Sequence, residues 1–362
     1  APRRAKLALL QAMRRGGQPR VVPPDGIADT SLILEGGYMG APTVGIEMLM
    51  AGEATAAVKA VLAAVDGDAA AVISGEIGGS NGLVQLLIAV QLGLPVVDGD
   101  FMGTAFPRLD QGTNTIYGLP LTPVGLADHL GNTLVVQDVA SPSWLERLLR
   151  PVSTAMGCRA GLAFKPLTGA QMKQVCIRHT VSQAYRLGTA ILEARQSHKD
   201  PVFAVASAGS GKVLFVGKLH DVSRQTSEGF AVGSFTIKGY QPQERVRKPQ
   251  ASVDISANRQ TMVIDFQNEF LVARMPDDES SASAVVASVP DLICILETST
   301  GRPIQTEELR YGLWISVVIL PAHPMHRTPQ GLLSVGPRAF GYDFDWSPTL
   351  TYVEPTPMTD TH

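Results

Sequence analysis

Cysteine is scarce in this sequence, which contains Cys158, Cys176 and Cys294 and no others. An odd number of cysteines that lie far apart argues against a disulfide framework and is typical of a reducing compartment. We therefore expect a cytoplasmic protein without structural disulfide bonds.

The sequence also lacks a charge imbalance and a long hydrophobic run. Lys and Arg number 30, Asp and Glu number 33, and the formal net charge is −3, without a basic stripe. A nucleic-acid partner is therefore not expected. The longest apolar candidate, residues 83–97, is interrupted by Gln85, Gln91 and Pro95. A membrane-spanning helix needs roughly 18 or more predominantly apolar residues, so we expect no membrane partner.

The start of the printed sequence lacks both an initiator methionine and an apolar signal region. It begins Ala1-Pro2-Arg3-Arg4. We therefore expect a fragment or a processed piece of a longer chain.

Apolar residues are plentiful enough for two hydrophobic cores. The 362 residues are 45% hydrophobic and 17% charged, and this length is large for a single core. A polar and charged break at residues 196–201 follows a helical pattern over residues 182–196. We expect an α/β domain over residues 1–199 and a β-rich domain over residues 200–362.

The first domain alternates apolar runs of strand type with segments of helical length. Glycine-rich turns separate most of them, an order that predicts a mostly parallel sheet with covering helices. The predicted strands are residues 31–34, 69–74 and 95–97, and the predicted helices are residues 44–50, 55–65 and 83–92.

Carboxylates follow two of these strands. Glu76 follows the strand at 69–74, and Asp98 and Asp100 follow the strand at 95–97. Ligands of open parallel sheets bind outside the carboxyl ends of the strands. Acids in that place serve as general bases, metal ligands or anchors for NH-rich substrates. The alternative is that the two aspartates only cap turns and helix N-termini. We predict that at least two of the three act directly.

Three glycine-containing turns repeat the same arrangement, at residues 36–42, 75–82 and 102–107. Glycine lets a backbone approach a ligand closely, although tight strand-to-helix turns use glycine in any case. The repetition beside acids favours a shared pocket on one side of the sheet.

The helix that follows Gly78-Gly79 begins near Ser80 and Asn81, where backbone amides favour an anion or a polarised carbonyl. Its glycine spacing does not match the G-x-G-x-x-G dinucleotide fingerprint. His179 and Thr180 precede another predicted helix, in a position suited to capping it or to donating into a neighbouring cleft.

The second domain is predicted to be rich in β-strands, since β-branched runs alternate there with Gly and Pro turns. Residues 202–206 and 213–216 flank Gly209-Ser210-Gly211-Lys212 and predict a hairpin. These residues do not match the phosphate-binding loop motif, because Ala206 stands where the motif requires glycine and Val213 stands where it requires Ser or Thr.

Several segments resemble the S-methyl thiohydantoin desulfurase family, a former family of unknown function associated with hydantoinase/oxoprolinase proteins. The resemblance runs from near the N-terminus to about residue 347. It is carried by Met39–Thr43 with Glu47 following, GEIGGSNG, LPVVDGDFMGTAFP, GKLHDVSRQTSEGFAVG, FQNEFL, VPDLI, TGRPIQTEELRYG and VGPRAFGYD. The family usually has a glycine-rich segment before the region that matches Ala5–Gly16, and the printed sequence begins after it.

The resemblance implies an α/β domain followed by a β-rich domain. It also implies hydrolytic removal of sulfur from a thiohydantoin-type ring, which gives a hydantoin and a thiol. Members occur beside hydantoin-cleaving enzymes, so a hydantoinase/oxoprolinase partner is a further expectation. The competing class is a non-catalytic binding or assembly subunit of such an enzyme. A nucleotide-binding enzyme is a third class, which we do not expect.

We expect Asp98 or Asp100 to act as base or metal ligand and Glu76 as the partner carboxylate. No cofactor is required, and a divalent metal held by Asp98 and Asp100 is left open. We also expect a homo-oligomer. The residues expected to hold the substrate, a small cyclic ureide or thiohydantoin, are Gly40, Gly78, Gly79, Asn81, Met102, Gly103 and Thr180.

Overall fold

The computed structural model describes residues 2–40, 44, 52–227, 230–239, 261–276 and 283–358. The chain forms two compact units, which are the described residues within Ala1–Ser182 and Glu354–His362, and those within Gln183–Val353. The domain limits at residues 199 and 200 stay a prediction. The predicted helix over residues 44–50 lies, apart from Val44, outside the described residues, as does Glu47.

Seven helices and ten strands begin in the first unit. The helices are α1 (Pro2–Arg14), α2 (Glu53–Val65), α3 (Asn81–Leu92), α4 (Thr113–Ile116), α5 (Pro142–Ala155), α6 (Gly169–Val175) and α7 (Thr180–Gln196), counted within the described ranges. The strands are β1 (Val21–Val22), β2 (Leu32–Gly40), β3 (Ala69–Ile73), β4 (Val96–Val97), β5 (Gly99–Asp100), β6 (Val124–Ala127), β7 (Thr133–Val136), β8 (Arg159–Ala163), β9 (Leu167–Thr168) and β10 (Ile177–Arg178).

The main sheet of the first unit has the strand order β1-β4-β3-β2-β8-β6-β7, and β9 also pairs with β2. The pairs β1–β4, β4–β3 and β3–β2 are parallel. The strands β8, β6 and β7 extend the sheet in antiparallel fashion. The predicted α/β class is therefore confirmed, and the parallel strands carry the predicted acids at their ends.

The helices α2 and α3 cover the parallel strands with small and branched side chains. Helix α2 is rich in alanine, and Ala57, Val58 and Val61 are fully buried. Small side chains let a helix lie close to a sheet without leaving voids. The core contains Leu34, Val58, Val61, Val72, Val84, Ile88 and Val96, among others.

The turn predicted at residues 36–42 is wrong, because β2 continues through Gly40 and pairs with β8. Gly36 is needed there for packing. A Cβ atom at this position would lie 2.9 Å from Cδ1 of Ile88 and 3.0 Å from Cγ2 of Val58. The glycine therefore admits two helices onto one strand, and a run of glycines here does not mark a turn.

The second unit is built on a seven-stranded antiparallel sheet with the order β15-β14-β13-β12-β11-β17-β16. Its strands are β11 (Lys212–Ser227), β12 (Phe230–Gly239), β13 (Thr261–Gln267), β14 (Glu269–Pro276), β15 (Ser283–Ser288), β16 (Leu292–Glu297) and β17 (Trp314–Leu320), and its helices are α8 (Pro201–Ala208) and α9 (Pro329–Val335), within the described ranges. The β-rich class is confirmed.

The hairpin predicted from residues 202–206 and 213–216 is wrong, because Pro201–Ala208 is a helix. The Asp200 carboxylate accepts hydrogen bonds from the backbone amides of Val202 at 2.8 Å and Phe203 at 3.1 Å. Proline at the first helical position completes a strong helix start. Val205 and Val202 then face the core of this unit.

Across the parts of the chain that the structure describes, no helix is both long enough and apolar enough to cross a membrane.

Candidate active site

Four carboxyl groups lie at or just beyond the carboxyl ends of the parallel strands. Glu35 is the last residue of β2 to pair with β3, opposite Ile73. Glu76 follows β3, while Asp98 and Asp100 follow β4. Parallel strands end at a common edge of the sheet, so these groups come from separate segments to one region.

Asp100 is fully buried and is held by backbone amides from two turns. Its Oδ2 accepts from Ile77 at 2.9 Å, from Met102 at 3.2 Å and from Gly103 at 2.8 Å. Burial raises the pKa of Asp100 to about 7, although these amides and the nearby Thr180 hydroxyl act in the opposite direction. A carboxyl group that would normally be ionised is thereby able to hold a proton at neutral pH.

Glu35 is a second buried carboxyl group in this region. Its Oε2 accepts a hydrogen bond of 2.9 Å from the amide of Asn114, in α4. Burial raises the pKa of Glu35 to about 8, the Asn114 hydrogen bond lowers it, and the charge of Asp100 raises it further. The sequence showed a glutamate at this strand end, but the predicted site residues did not include it.

Thr180, at the start of α7, brings a buried hydroxyl group beside Asp100. The residue is 5% exposed, and its Oγ1 has no hydrogen-bond partner in the described part of the chain. It nevertheless lies close enough to the carboxyl group to lower the pKa of Asp100. The structure therefore places Thr180, one of the predicted substrate-binding residues, beside the predicted catalytic carboxylate of Asp100.

Asp98 is almost fully buried and is held by a different set of donors. Its Oδ1 accepts from the Ser182 amide at 2.9 Å, and its Oδ2 accepts from the Ser182 hydroxyl at 2.6 Å. Nδ1 of His179 lies 3.1 Å from the same Oδ2. The Ser182 hydroxyl in turn accepts a 2.8 Å hydrogen bond from the amide of Met358.

The segment that carries His179 is fixed to the strand end by backbone pairing. Strand β10 pairs with β5 so that Ile177 lies opposite Asp100. The His179 amide donates to the carbonyl of Asp98 at 2.8 Å, and His179 itself has a φ of 61°. A left-handed backbone is uncommon for a residue other than glycine, so it marks a place that the surrounding structure enforces.

Glu76 is half-buried and is oriented by Asn81. The Asn81 amide donates to Oε1 of Glu76 at 2.7 Å and to the carbonyl of Tyr38 at 3.1 Å, and its Oδ1 accepts from the Tyr38 amide at 3.0 Å. Asn81 therefore connects the start of α3 to β2 and orients the Glu76 carboxylate. The structure gives it this orienting position, while a contact with substrate stays a prediction.

The glycines that were predicted to hold the substrate have different surroundings in the structure. The amide of Gly103, which has a φ of 64°, serves Asp100, as does that of Met102. The Gly78 amide donates to the carbonyl of Thr104 at 3.2 Å. Gly79 is exposed at the same turn.

Gly40 lies five positions beyond Glu35 on β2, where it pairs with Arg159. Its φ of 124° is open to glycine but strained for other residues. The amides of Gly78, Gly103 and Met102 are engaged within the protein, so they shape the turns around Asp100.

A metal site was left open for Asp98 and Asp100. Among the residues that the structure describes, no group of three or more His, Cys, Asp and Glu side chains is arranged to hold a metal ion. A divalent metal at Asp98 and Asp100 therefore stays an open alternative.

Asn114 and His179 were absent from the predicted site, as was Glu35. Asn114 reaches Glu35 over 79 positions, and His179 reaches Asp98 over 81 positions. No local pattern could have found Asn114. The available signal for His179 was its place, with Thr180, just before the helix predicted over residues 182–196.

The chain matches two family models that share a description. Residues 1–138 match "S-Me-THD-like, N-terminal domain", and residues 140–349 match "S-Me-THD-like, C-terminal domain". A search of curated proteins finds no match.

Among solved structures, an X-ray crystal structure of a protein from Chromobacterium violaceum is similar to this chain. The two are 23% identical, with a TM-score of 0.73, and the match covers 94% of this chain and 93% of the other. At this identity the likeness shows a common fold alone.

Proposed function

Because the chain belongs to the S-Me-THD-like family, we propose that it removes sulfur hydrolytically from an S-methyl thiohydantoin or a related thiohydantoin ring. The products would be a hydantoin and a thiol. The family resemblance seen in the sequence is confirmed by the two matches. The family name suggests an enzyme, and the reaction itself is our proposal.

The reaction needs proton transfer at two places. Water attacks the ring carbon that bears sulfur, so that a C–O bond forms and one water proton must be removed. The C–S bond then breaks and the departing sulfur takes up a proton, while the ring nitrogen of the former C=N bond carries the other. General acids and bases that exchange protons near neutral pH accelerate such steps by about 10²- to 10⁴-fold each.

The observation that carries this proposal is the burial of two carboxyl groups, Glu35 and Asp100, at the strand ends. In the described part of the chain, neither Glu35 nor Asp100 forms an ion pair with Lys or Arg, and burial raises their pKa values to about 8 and about 7. Titratable groups with pKa values shifted toward neutrality cluster at functional sites. These two groups therefore mark the strand ends, where the other two carboxylates also lie, as the candidate site.

We assign direct contact with the substrate to Glu76, because it is only half-buried and Asn81 fixes its direction. Asp100 holds the residue that follows this carboxylate, Ile77, and the turn at Met102 and Gly103 through their amides. Those turns would frame the ring, and their rigidity is what positioned catalytic groups require.

The test is thiol release from an S-methyl thiohydantoin, followed with a thiol reagent, with the hydantoin product identified by mass. Glu76→Gln keeps an oxygen for the Asn81 hydrogen bond but cannot exchange a proton, so we expect turnover to fall about 10²-fold or more. Asp128→Asn is the matched control. Asp128 is also a buried acid of this unit, and it accepts amide hydrogen bonds from Leu130 and Asn132 at 2.9 and 2.8 Å.

Wild-type protein that binds but does not turn over any S-methyl or unsubstituted thiohydantoin would contradict the proposal. That result would favour a non-catalytic subunit of a hydantoinase/oxoprolinase-type enzyme. The hydantoinase/oxoprolinase partner and the homo-oligomer stay predictions, and co-purification and light scattering test them.

A further inference from the structure

Asp98 and His179 form a carboxylate–imidazole pair in which the two side chains have unequal access to solvent. The 3.1 Å contact between Oδ2 and Nδ1 involves an Asp98 side chain that is 4% exposed and a His179 side chain that is 14% exposed. A carboxylate accepts hydrogen bonds only, so Nδ1 carries the proton and Nε2 is left as the basic nitrogen. Nε2 makes no hydrogen bond to any residue that the structure describes.

Asp98 has two further donors besides His179, so three of its roughly four lone pairs are engaged within the protein. Ser182 supplies two donors, one from its amide and one from its hydroxyl. The Ser182 hydroxyl donates to Asp98 and accepts from the Met358 amide, and Ser182 is fully buried, so it is not exposed to a substrate. The dyad therefore presents a single reactive atom, Nε2 of His179.

Other charges near His179 are already balanced. Asp25 is close enough for the His179 charge to affect the Asp25 pKa, but Arg178 binds both Asp25 oxygens, at 2.7 and 3.0 Å. Thr180, the next residue, faces Asp100. Asp98 is thus the carboxylate that fixes the tautomer of His179, and the adjacent residue contacts the other predicted aspartate.

We propose that His179 is the catalytic base that activates water, with Asp98 as its positioning residue. This inference rests on the proposed function and names the base within it. Nε2 takes one proton from water as the water oxygen forms its bond to the sulfur-bearing carbon. The imidazolium then returns that proton to the departing sulfur as the C–S bond breaks, so His179 is neutral again after each turnover. The second water proton passes from the same oxygen to the ring nitrogen of the former C=N bond as the carbonyl forms, through Glu76, which the proposed function places against the substrate.

The left-handed backbone at His179 determines which substitutions are informative. Asn and Gly both adopt this conformation readily, so His179→Asn and His179→Gly remove the imidazole with little backbone strain. We expect either change to lower kcat by about 10²- to 10⁴-fold, with KM within about threefold of the wild-type value. His198→Asn is the matched control, because His198 is an exposed histidine with a φ of 54°.

Chemical rescue separates a catalytic imidazole from a structural one. Added imidazole should restore thiol release to His179→Gly in a concentration-dependent manner, and substituted imidazoles of different pKa should shift the acid limb of its pH profile. Neither addition should affect His198→Asn. Asp98→Asn should lower kcat while the protein remains folded, because the wrong tautomer of His179 would be held.

Each outcome decides between the proposals. Loss of kcat with imidazole rescue supports His179 as the base. Turnover by His179→Asn and His179→Gly within about threefold of wild type overturns this inference and leaves the proposed function intact. Loss without rescue, together with a lowered melting temperature, assigns His179 a structural role and also overturns it. Absence of turnover by wild-type protein overturns both proposals.

Discussion

Asp100 in the first unit and Asp291 in the second are both buried aspartates with several hydrogen bonds, yet their partners differ. Asp100 is bonded to backbone amides. Asp291 accepts from the Ala322 amide at 2.8 Å, from Trp346 at 3.0 Å and from Arg327 at 3.3 Å. The arginine in the second unit supplies a compensating charge that the described part of the first unit does not supply to Asp100.

We infer from this difference that Asp291 has a structural role and that Asp100 has a chemical one. Burial raises the pKa of Asp291 and Arg327 lowers it, and the hydrogen bonds to Asp291 tie three segments of the second unit together. Amides alone leave Asp100 with a pKa of about 7, so its protonation changes near neutral pH. The first unit places two acids with raised pKa values, Glu35 and Asp100, in one region, and this clustering is our guide to the site.

The largest expected effect on stability is at Asp291. Asp291→Asn should lower the free energy of unfolding by about 3–5 kcal/mol, because Arg327 would keep a largely buried charge without its counter-ion. Chemical denaturation measures this loss. A change below about 1 kcal/mol would show that the ion pair is dispensable and would remove the contrast between the two acids.

Asp100→Ala should have the next largest effect, a loss of about 2–3 kcal/mol, because the amides of Ile77, Met102 and Gly103 would lose their acceptor. Asp100→Asn is its matched control. One amide oxygen can replace Oδ2 and no cation is left unpaired, so we expect a change within about 1 kcal/mol in the same denaturation experiment. Equal losses in the two variants would show that charge, not the amide contacts, holds these turns.

The dependence of the unfolding free energy on pH should reveal the contribution of the two buried carboxyl groups Glu35 and Asp100. The pKa values of Glu35 and Asp100 are raised in the folded state, so the folded protein binds more protons than the unfolded chain between about pH 4 and 8. Stability should therefore fall as pH rises through this range, by up to about 1.4 kcal/mol per pH unit for each group.

Glu35→Gln should remove the contribution of Glu35 to this pH dependence of stability. The glutamine side-chain oxygen can still accept the hydrogen bond from Asn114. Unfolding free energies measured at several pH values provide the check. A slope identical to that of the wild type would mean that Glu35 is ionised in the folded protein.

The smallest expected effect is at Asp200, the acid that caps the start of α8. Asp200→Ala should cost about 1 kcal/mol, since α8 loses the acceptor for two amides. Thermal unfolding measures it. An unchanged melting temperature would contradict the capping role that this helix start assigns to Asp200.

Local sequence patterns predicted the unit that carries the site. The strand at 69–74 and the helix at 83–92 lie within one or two residues of β3 and α3, because apolar periodicity and glycine act over a few positions. The same local reasoning failed at Pro201–Ala208, where an apolar run of strand type is helical once Asp200 and Pro201 start the helix. It failed again at Gly36, whose packing partners come from two helices.

The acids of the candidate site were predictable from their strand-end positions, whereas their partners were not. Glu76, Asp98 and Asp100 follow recognisable strands. The groups that orient or tune them come from distant segments, as Asn114 does for Glu35 and His179 does for Asp98. Such pairings depend on strand order and on the packing of α4 and α7, which a single sequence does not encode in any short pattern.

The hydrogen bond from Met358 to Ser182 has a consequence for the order in which the protein is made. The first unit includes described residues from Glu354 onward, and the amide of Met358 donates to the hydroxyl that holds Asp98. Because a chain emerges from the ribosome N-terminus first, residues 183–353 must be synthesised before this contact can form. During translation, the surroundings of Asp98 are therefore completed only after the whole second unit has emerged.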